Sequence, residues 1–163
     1  TVYITAGTLE KCEFCEKLGA DAAFNYREQN FSEAVNNLTD GKGVDVILDM
    51  VGGPYFPKNI GLLAIEGRLV QIALMQGSKA EVDFLSLMLK RVTLTGSTLR
   101  PRTVEQKTEI AQALRKNVWP LLESGAVRPI IHQTFPLEQA TEAHRLMESS
   151  THIGKILLKS DAE

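Results

Sequence analysis

Short apolar runs alternate with helix-like segments along almost the whole chain, and this alternation limits the possible folds more than any other feature. The clearest run extends from Val44 to Met50 and is nearly all apolar, without the polar alternation of a half-exposed strand. Such a run is typical of a parallel strand covered on both faces. Strands that alternate regularly with helices predict a doubly wound α/β sheet with right-handed crossovers.

The predicted elements follow one another without a linker or an internal repeat. We expect strands over residues 2–5, 22–26, 44–50, 68–72, 92–97, 130–135 and 155–158. We expect helices over residues 9–18, 31–38, 55–63, 84–90, 104–123 and 137–148. Gly19 is predicted to end the first helix, Gly67 to separate a helix from the next strand, and Pro120 to bend the long helix.

Composition and charge exclude several classes of function. The 163 residues carry 18 Lys+Arg against 20 Asp+Glu, and 44% of them are hydrophobic, which indicates a globular protein and not a disordered one. The balanced charge offers no basic surface for nucleic acid. No run approaches the roughly 18 apolar residues of a membrane span, and no signal peptide is evident. We therefore expect no nucleic-acid or membrane partner and a cytoplasmic location.

The sequence predicts no metal ligands and no catalytic residue. Cys12 and Cys15 have CxxC spacing but lack a second pair, and they share an apolar helical stripe with Leu18, so core packing is favoured. Asp45 and Asp49 are interpreted as solvated or capping residues of the third strand. The histidines form no HExxH pattern; they are His132, His144 and His152.

The residues after the first two strands suit a phosphate group. An NAD-binding doubly wound fold places an acidic residue after its second strand to bind the ribose 2′-hydroxyl, but the corresponding segment here, Gly7 and Thr8 included, has none. Thr8 offers a hydroxyl and the start of a helix, with Lys11 one turn further on and Tyr26 after the next strand. This pattern favours NADP(H); a capped helix with a solvated Lys11 and a packed Tyr26 is the alternative.

Further candidates follow the later strands. Gly52, beside Val51, allows either the close approach of a ligand or a tight turn. Small side chains and backbone groups that suit a nicotinamide follow the fourth and fifth strands, although composition alone does not assign them; these residues are Leu74, Met75, Ser97, Thr98 and Leu99.

Eight stretches, taken in order, resemble a known family from one end of the chain to the other. They are TAGTLEK (5–11), KLGA (17–20), FNYR (24–27), VILDMVGG (46–53), GRLV (67–70), FPLEQA (135–140), EAH (142–144) and HIGKIL (152–157). This set is similar to the cofactor domain of the medium-chain dehydrogenase/reductase superfamily, in its zinc-independent NADPH:quinone oxidoreductase branch.

The resemblance implies roles for the candidate residues. Gly7, Thr8, Lys11 and Tyr26 would form the 2′-phosphate and adenosine site, with Val51 and Gly52 on the adenine–ribose side. The residues implied at the nicotinamide end are Leu74, Met75, Ser97, Thr98 and Leu99, and Lys155 would lie in the closing segment near the cofactor. The implied function is hydride transfer from NADPH to a quinone, an enone or another activated alkene. Alternatives are an enoyl-thioester reductase, a zinc alcohol dehydrogenase or a non-catalytic nucleotide-binding module.

The resemblance also implies a partial Rossmann-like domain. The sequence contains no GxGxxG turn, so the expected fold lacks its first strand and Gly-rich turn and ends in a helix–strand extension. The implied divisions are a cofactor domain over 1–128, a returning segment over 129–159 and a tail over 160–163. Without its first strand the sheet is expected to split, repack or accept a strand from another subunit. We also expect a homodimer through the edge strand from Val92 to Ser97, and little activity from this chain alone.

Overall fold

The computed structural model describes residues 1–160, so the predicted tail lies outside the described residues from position 161 onward. Residue contacts divide the chain into a first unit, Thr1–Pro101, and a second unit that begins at Arg102. The domain boundary expected after residue 128 remains a prediction. None of the helices within residues 1–160 combines the length and apolarity that a membrane span requires.

The first unit alternates strands and helices as the sequence pattern predicts. Its elements are β1 (Tyr3–Ala6), α1 (Leu9–Lys17), β2 (Ala22–Asn25), α2 (Phe31–Leu38), β3 (Val44–Asp49), α3 (Tyr55–Leu62), β4 (Leu63–Gln71), α4 (Phe84–Lys90) and β5 (Thr93–Gly96). Gly19 follows the C-cap of α1 with a φ of 107°, a conformation that favours glycine. The predicted helix end at this position is therefore confirmed.

The strands of the first unit form two parallel sheets. β1 pairs with β2, while the second sheet has the order β3-β4-β5. Both sheets contribute to one hydrophobic cluster, in which Tyr3 of β1 and Ile47 of β3 pack against a buried core of Phe24, Phe31, Val35 and Leu62. The architecture is thus the predicted parallel α/β fold, and the expected split of the sheet is observed between β1 and β3.

Three details of the first unit differ from expectation. β4 runs through Gly67 instead of starting after it, because Glu66 adopts a left-handed conformation with φ of 64° and the ladder with β3 shifts register. β3 is not covered on both faces: Val46 and Leu48 are 62% and 63% exposed. Leu18 is also exposed, so the predicted apolar stripe of α1 reduces to Cys12, which is buried, and Cys15, which is half-buried.

The second unit contains three helices, a 3₁₀ turn and one pair of parallel strands within its described residues. They are α5 (Val104–Asn117), α6 (Trp119–Glu123), β6 (Ile131–Pro136), the 3₁₀ turn Leu137–Gln139, α7 (Ala140–Ser149) and β7 (Lys155–Lys159). The Thr103 and Gln106 side chains form a capping box that starts α5. The long predicted helix is interrupted at Val118 and not merely bent by Pro120, which occupies the first turn of α6, where the missing N–H costs nothing.

Candidate functional site

Gly7 and Tyr26 meet at the carboxyl ends of β1 and β2. The Tyr26 N–H donates to the Ala6 carbonyl across these strand ends at 3.0 Å. A Cβ placed on Gly7 would lie 2.8 Å from Tyr26 Oη and 3.3 Å from Arg27 Nε. Glycine is therefore needed for both side chains to pack over the end of β1. We call Gly7, Thr8, Tyr26 and Arg27 the β1–β2 cluster.

Thr8 begins α1 directly beside this contact. Its hydroxyl oxygen accepts a hydrogen bond from the Lys11 N–H at 3.3 Å, which caps the helix and places Lys11 one turn into it. The Arg27 guanidinium carbon lies 6.0 Å from the centroid of the Tyr26 ring, within the range of a cation–π contact. Helix start, arginine and phenol hydroxyl together form a surface that favours an anion.

The Tyr26 ring is supported by a second layer of aromatic side chains. It meets Tyr55 edge-on at 6.3 Å between centroids, and Tyr55 stacks on Phe31 at 5.0 Å. Burial, with smaller contributions from Tyr26 and Asp49, raises the pKa of the Tyr55 hydroxyl. The side-chain oxygen of Asn25, a buried residue, accepts a hydrogen bond from the backbone N–H of Arg27 at 3.2 Å. These contacts restrict the positions that the β1–β2 cluster can adopt.

A shallow pocket of ≈ 450 Å³ lies at the carboxyl ends of β4 and β5. Its lining residues are Gln71, Ile72, Ala73, Leu74, Gly96, Ser97 and Thr98. Three of the five residues expected at the nicotinamide end therefore line one pocket. The other two, Met75 and Leu99, lie outside its lining and are 77% and 57% exposed. Gln71 also presents a buried Oε1 that has no hydrogen-bond partner within residues 1–160.

Gly52 and Gly53 follow β3 and pack against the backbone of the loop after β4, so they do not border an open space. Both have left-handed backbones, with φ of 69° and 47°. A Cβ on Gly52 would lie 2.7 Å from the Gly77 carbonyl oxygen, and one on Gly53 would lie 2.5 Å from that of Gln76. The loop after β4 thus packs directly on the turn after β3. Val51, in the same turn, accepts the Gln76 N–H at 2.8 Å.

The remaining candidate is separated in the chain from those above. Lys155 opens β7 in the second unit, where its N–H donates to the Ile130 carbonyl at 2.7 Å. Its assignment to the cofactor remains a prediction from the resemblance, as do the ligand contacts of the other candidates.

Three polar residues near the pocket have roles that the sequence did not reveal. The expected capping role of Asp49 is seen, but the residue is also 4% exposed and bonds to the buried Asn59. The Gln71 amide donates to the Asp49 carbonyl at 3.1 Å and to the Ala73 carbonyl at 2.6 Å. The position of Asp49 between an apolar strand and a Gly-Gly turn was the one sequence feature that pointed to a buried polar role. No sequence feature pointed to such a role for Asn59 or Gln71.

Two observations in the first unit fit a phosphate-bearing dinucleotide. In the β1–β2 cluster, Gly7 packs so closely against Tyr26 and Arg27 that a Cβ would overlap them, and the cluster carries groups that favour an anion. The pocket is lined by polar side chains that suit a carboxamide, those of Gln71, Ser97 and Thr98. Within residues 1–160, no three His, Cys, Asp or Glu side chains are grouped as metal ligands.

Comparisons with known proteins agree with this fold. Residues 18–158 match a family described as zinc-binding dehydrogenases. Quinone oxidoreductase-like protein 2 of Bos taurus is 32% identical over 96% of this chain and 45% of its own length. This chain thus spans less than half of that relative.

The fold of this chain is also similar to those of solved structures. A 2-haloacrylate reductase superposes with a TM-score of 0.81 at 29% identity, over 99% of this chain and 50% of that protein. An NAD-dependent alcohol dehydrogenase gives a TM-score of 0.79 at 32% identity, over 97% of this chain and 43% of that protein. Taken with its Rossmann-like parallel strands, these matches show that the chain belongs to the zinc-binding dehydrogenase family of the medium-chain dehydrogenase/reductase superfamily.

Proposed function

We propose that this chain is the NADPH-binding part of an oxidoreductase that transfers hydride to a quinone or an activated alkene. The observation that carries the proposal is the β1–β2 cluster: Gly7 packs beneath Tyr26 and Arg27, and the residues from Thr5 to Thr8 contain no carboxylate. A carboxylate there would repel a 2′-phosphate, whereas the groups present attract one.

Each group of the β1–β2 cluster has a defined task in this proposal. The Tyr26 hydroxyl donates a hydrogen bond to the 2′-phosphate, and the Arg27 guanidinium and Lys11 ammonium supply positive charge. The free N–H groups in the first turn of α1 add their dipole. Tyr55 and Phe31 hold the Tyr26 ring in place from below.

The pocket at the ends of β4 and β5 is assigned to the nicotinamide half of the cofactor. Leu74 provides an apolar wall, while Gly96, which ends β5, and the following Ser97 and Thr98 form a wall of small residues. When bound, NADPH supplies a hydride equivalent from its nicotinamide ring. The contribution of this chain is to orient that ring and to keep water from one side of it.

Titration with both coenzymes tests the proposal. Lys11→Ala should weaken NADPH binding about tenfold, as expected for the loss of one charge-assisted contact, and leave NADH binding unchanged. Lys17→Ala, in the last turn of the same helix, is the matched control and should change neither. Equal weakening of both coenzymes by Lys11→Ala would contradict a 2′-phosphate site. Tighter binding of NADH than of NADPH by the wild type would favour NAD, the coenzyme named for the similar alcohol dehydrogenase.

The hydride acceptor is tested separately. The named activities of the similar proteins, quinone oxidoreductase and 2-haloacrylate reductase, support quinones and conjugated alkenes as the two classes to try. NADPH oxidation should be followed with a panel of both. We expect binding without turnover from this chain alone, because its described residues offer no convincing general acid. Robust turnover would contradict that part of the proposal.

A further inference from the structure

We propose that Asp49 and Asn59 form a positioning pair that fixes the wall of the pocket. Neither side chain lines the pocket. They act through the turn after β3, residues 50–53, on the loop after β4, residues 72–77. The inference deepens the proposed function and rests on it, because the ligand whose position the pair would control is the nicotinamide half of NADPH.

Asp49 is held by four hydrogen bonds from two directions. Its carboxylate accepts the Val51 N–H at 2.6 Å and the Gly52 N–H at 3.3 Å to each oxygen. It also accepts a hydrogen bond from Asn59 Nδ2 at 3.1 Å. Asp49 and Asn59 are each 4% exposed. A carboxylate this deeply buried is tolerated only when hydrogen-bonded, so the pair defines one conformation of the turn.

The turn after β3 supports the loop after β4 through backbone hydrogen bonds. The Met75 N–H donates to the Met50 carbonyl at 3.2 Å, and the Gln76 N–H donates to the Val51 carbonyl at 2.8 Å. The loop also packs on Gly52 so tightly that a Cβ there would lie 2.9 Å from Leu74 Cδ2. A shift of the turn therefore moves Leu74, which forms part of the pocket wall.

A second connection joins Asp49 to the same loop from the other side. The Asp49 carbonyl accepts the Ile72 N–H at 2.8 Å and Gln71 Nε2 at 3.1 Å, and that amide also bonds to the Ala73 carbonyl. The loop is thus attached to Asp49 at its beginning and to the Asp49-capped turn further on. The backbone carbonyl and the side chain of Asp49 together determine the position of the loop that lines the pocket.

Asp49→Asn separates positioning from simple packing. Asparagine keeps the size and one acceptor oxygen, but its NH2 group would meet the Nδ2 donor of Asn59 unless the Asn59 amide turns over and presents its oxygen. The double variant Asp49→Asn/Asn59→Asp restores one donor opposite one acceptor. Asp83→Asn is the matched control, because Asp83 also caps a turn, through Leu85 N–H at 3.0 Å and Ser86 Oγ at 2.7 Å, but at the exposed start of α4.

The first readout is amide hydrogen exchange, which requires no ligand. In Asp49→Asn, the Met75 and Gln76 amides should exchange about tenfold faster, while the amides between β1 and β2 keep their protection. The double variant should recover most of the loss, and Asp83→Asn should match the wild type. Unchanged exchange at Met75 and Gln76, uniform acceleration throughout the first unit, or failure of the double variant to recover would each overturn the inference.

The second readout is coenzyme binding. Asp49→Asn should raise the Kd for NADPH and NADH by the same factor of about five to ten, because the altered wall contacts the half that both share. If Asp49→Asn does not fold, Asn59→Ala, which retains the carboxylate and its turn contacts, replaces it in both measurements. A wild-type protein that binds neither coenzyme refutes the proposed function, whereas the exchange result judges the positioning pair independently. Normal binding by a variant with faster exchange would overturn the role of the pair in ligand positioning.

Discussion

Replacing Gly7 with alanine is expected to weaken NADPH binding without unfolding the protein. The added Cβ would lie 2.8 Å from Tyr26 Oη and 3.2 Å from its Cζ, closer than such atoms can pack. Gly7 does not have a left-handed backbone, so alanine fits its conformation. Tyr26 is 41% exposed, so the overlap can displace its ring toward solvent at the cost of its contact with Tyr55. The overlap should therefore be relieved by the tyrosine and not by the strand.

The size of the effect can be worked out from the contact that is lost. A hydrogen bond from the Tyr26 hydroxyl to a charged phosphate contributes about 1.5–3 kcal/mol, which corresponds to roughly a tenfold to 150-fold increase in Kd. NADH lacks the 2′-phosphate, so its Kd should rise by less than about threefold. The free energy of unfolding should change by less than about 1 kcal/mol, since alanine also reduces the entropy of the unfolded chain.

Fluorescence titration with each coenzyme, together with urea unfolding, measures both quantities. Gly61→Ala is the control, because Gly61 lies in α3 with nothing within 4 Å of an added Cβ and should bind both coenzymes normally. In a Tyr26→Phe background the Gly7 substitution should cost little further NADPH affinity, since the hydroxyl that it displaces is already absent. An unchanged NADPH Kd, or an equal loss for NADH, would refute the assignment of this cluster to the 2′-phosphate.

Two further predictions concern assembly and pH. β5 pairs only with β4 among the described strands, and all its residues are exposed. We therefore propose that β5 joins a second copy of the chain. Thr95→Lys should then convert a dimer to a monomer in analytical ultracentrifugation, and a wild-type monomer would contradict the proposal. Burial, aided by Cys15, raises the pKa of the Cys12 thiol above its ordinary 9.0 in the folded protein. The unfolded chain therefore loses this proton at lower pH than the folded chain does. The free energy of unfolding should fall as pH rises past about 9. Cys12→Ala should reduce that loss in urea unfolding at pH 8 and pH 10; an identical loss in the variant would exclude Cys12 as its source.

The order of elements could be predicted because the strands of the first unit lie in short apolar or alternating segments bounded by turn residues. The errors occur where a conformation depends on contacts outside the local pattern. Glu66 takes a left-handed backbone that lets β4 continue through Gly67, and nothing in the sequence distinguishes this glutamate from others. Val46 and Leu48 belong to an apolar run, yet their exposure depends on what covers that face of β3.

The candidate site could be predicted only in part, because its two halves arise differently. The β1–β2 cluster joins residues that come directly after two paired strands, and parallel strand ends meet at one edge of a sheet. Its members could therefore be found among the residues at the end of each apolar run. Asp49 bonds to a residue ten positions away and its carbonyl to one 22 positions away. No periodicity predicts such spacings, so the polar support of the pocket became visible only in the fold.

The two glycine positions at the strand ends show why residue type alone does not assign a ligand site. Gly7 has no left-handed requirement, and the atoms that an added Cβ would meet are the ends of exposed side chains. Gly52 has a left-handed backbone, and its Cβ would meet a carbonyl oxygen of the neighbouring loop. A side chain can move aside for a ligand, whereas a hydrogen-bonded loop cannot do so cheaply. Gly7 is therefore the position at which direct ligand contact is expected, and Gly52 acts through the loop that it supports.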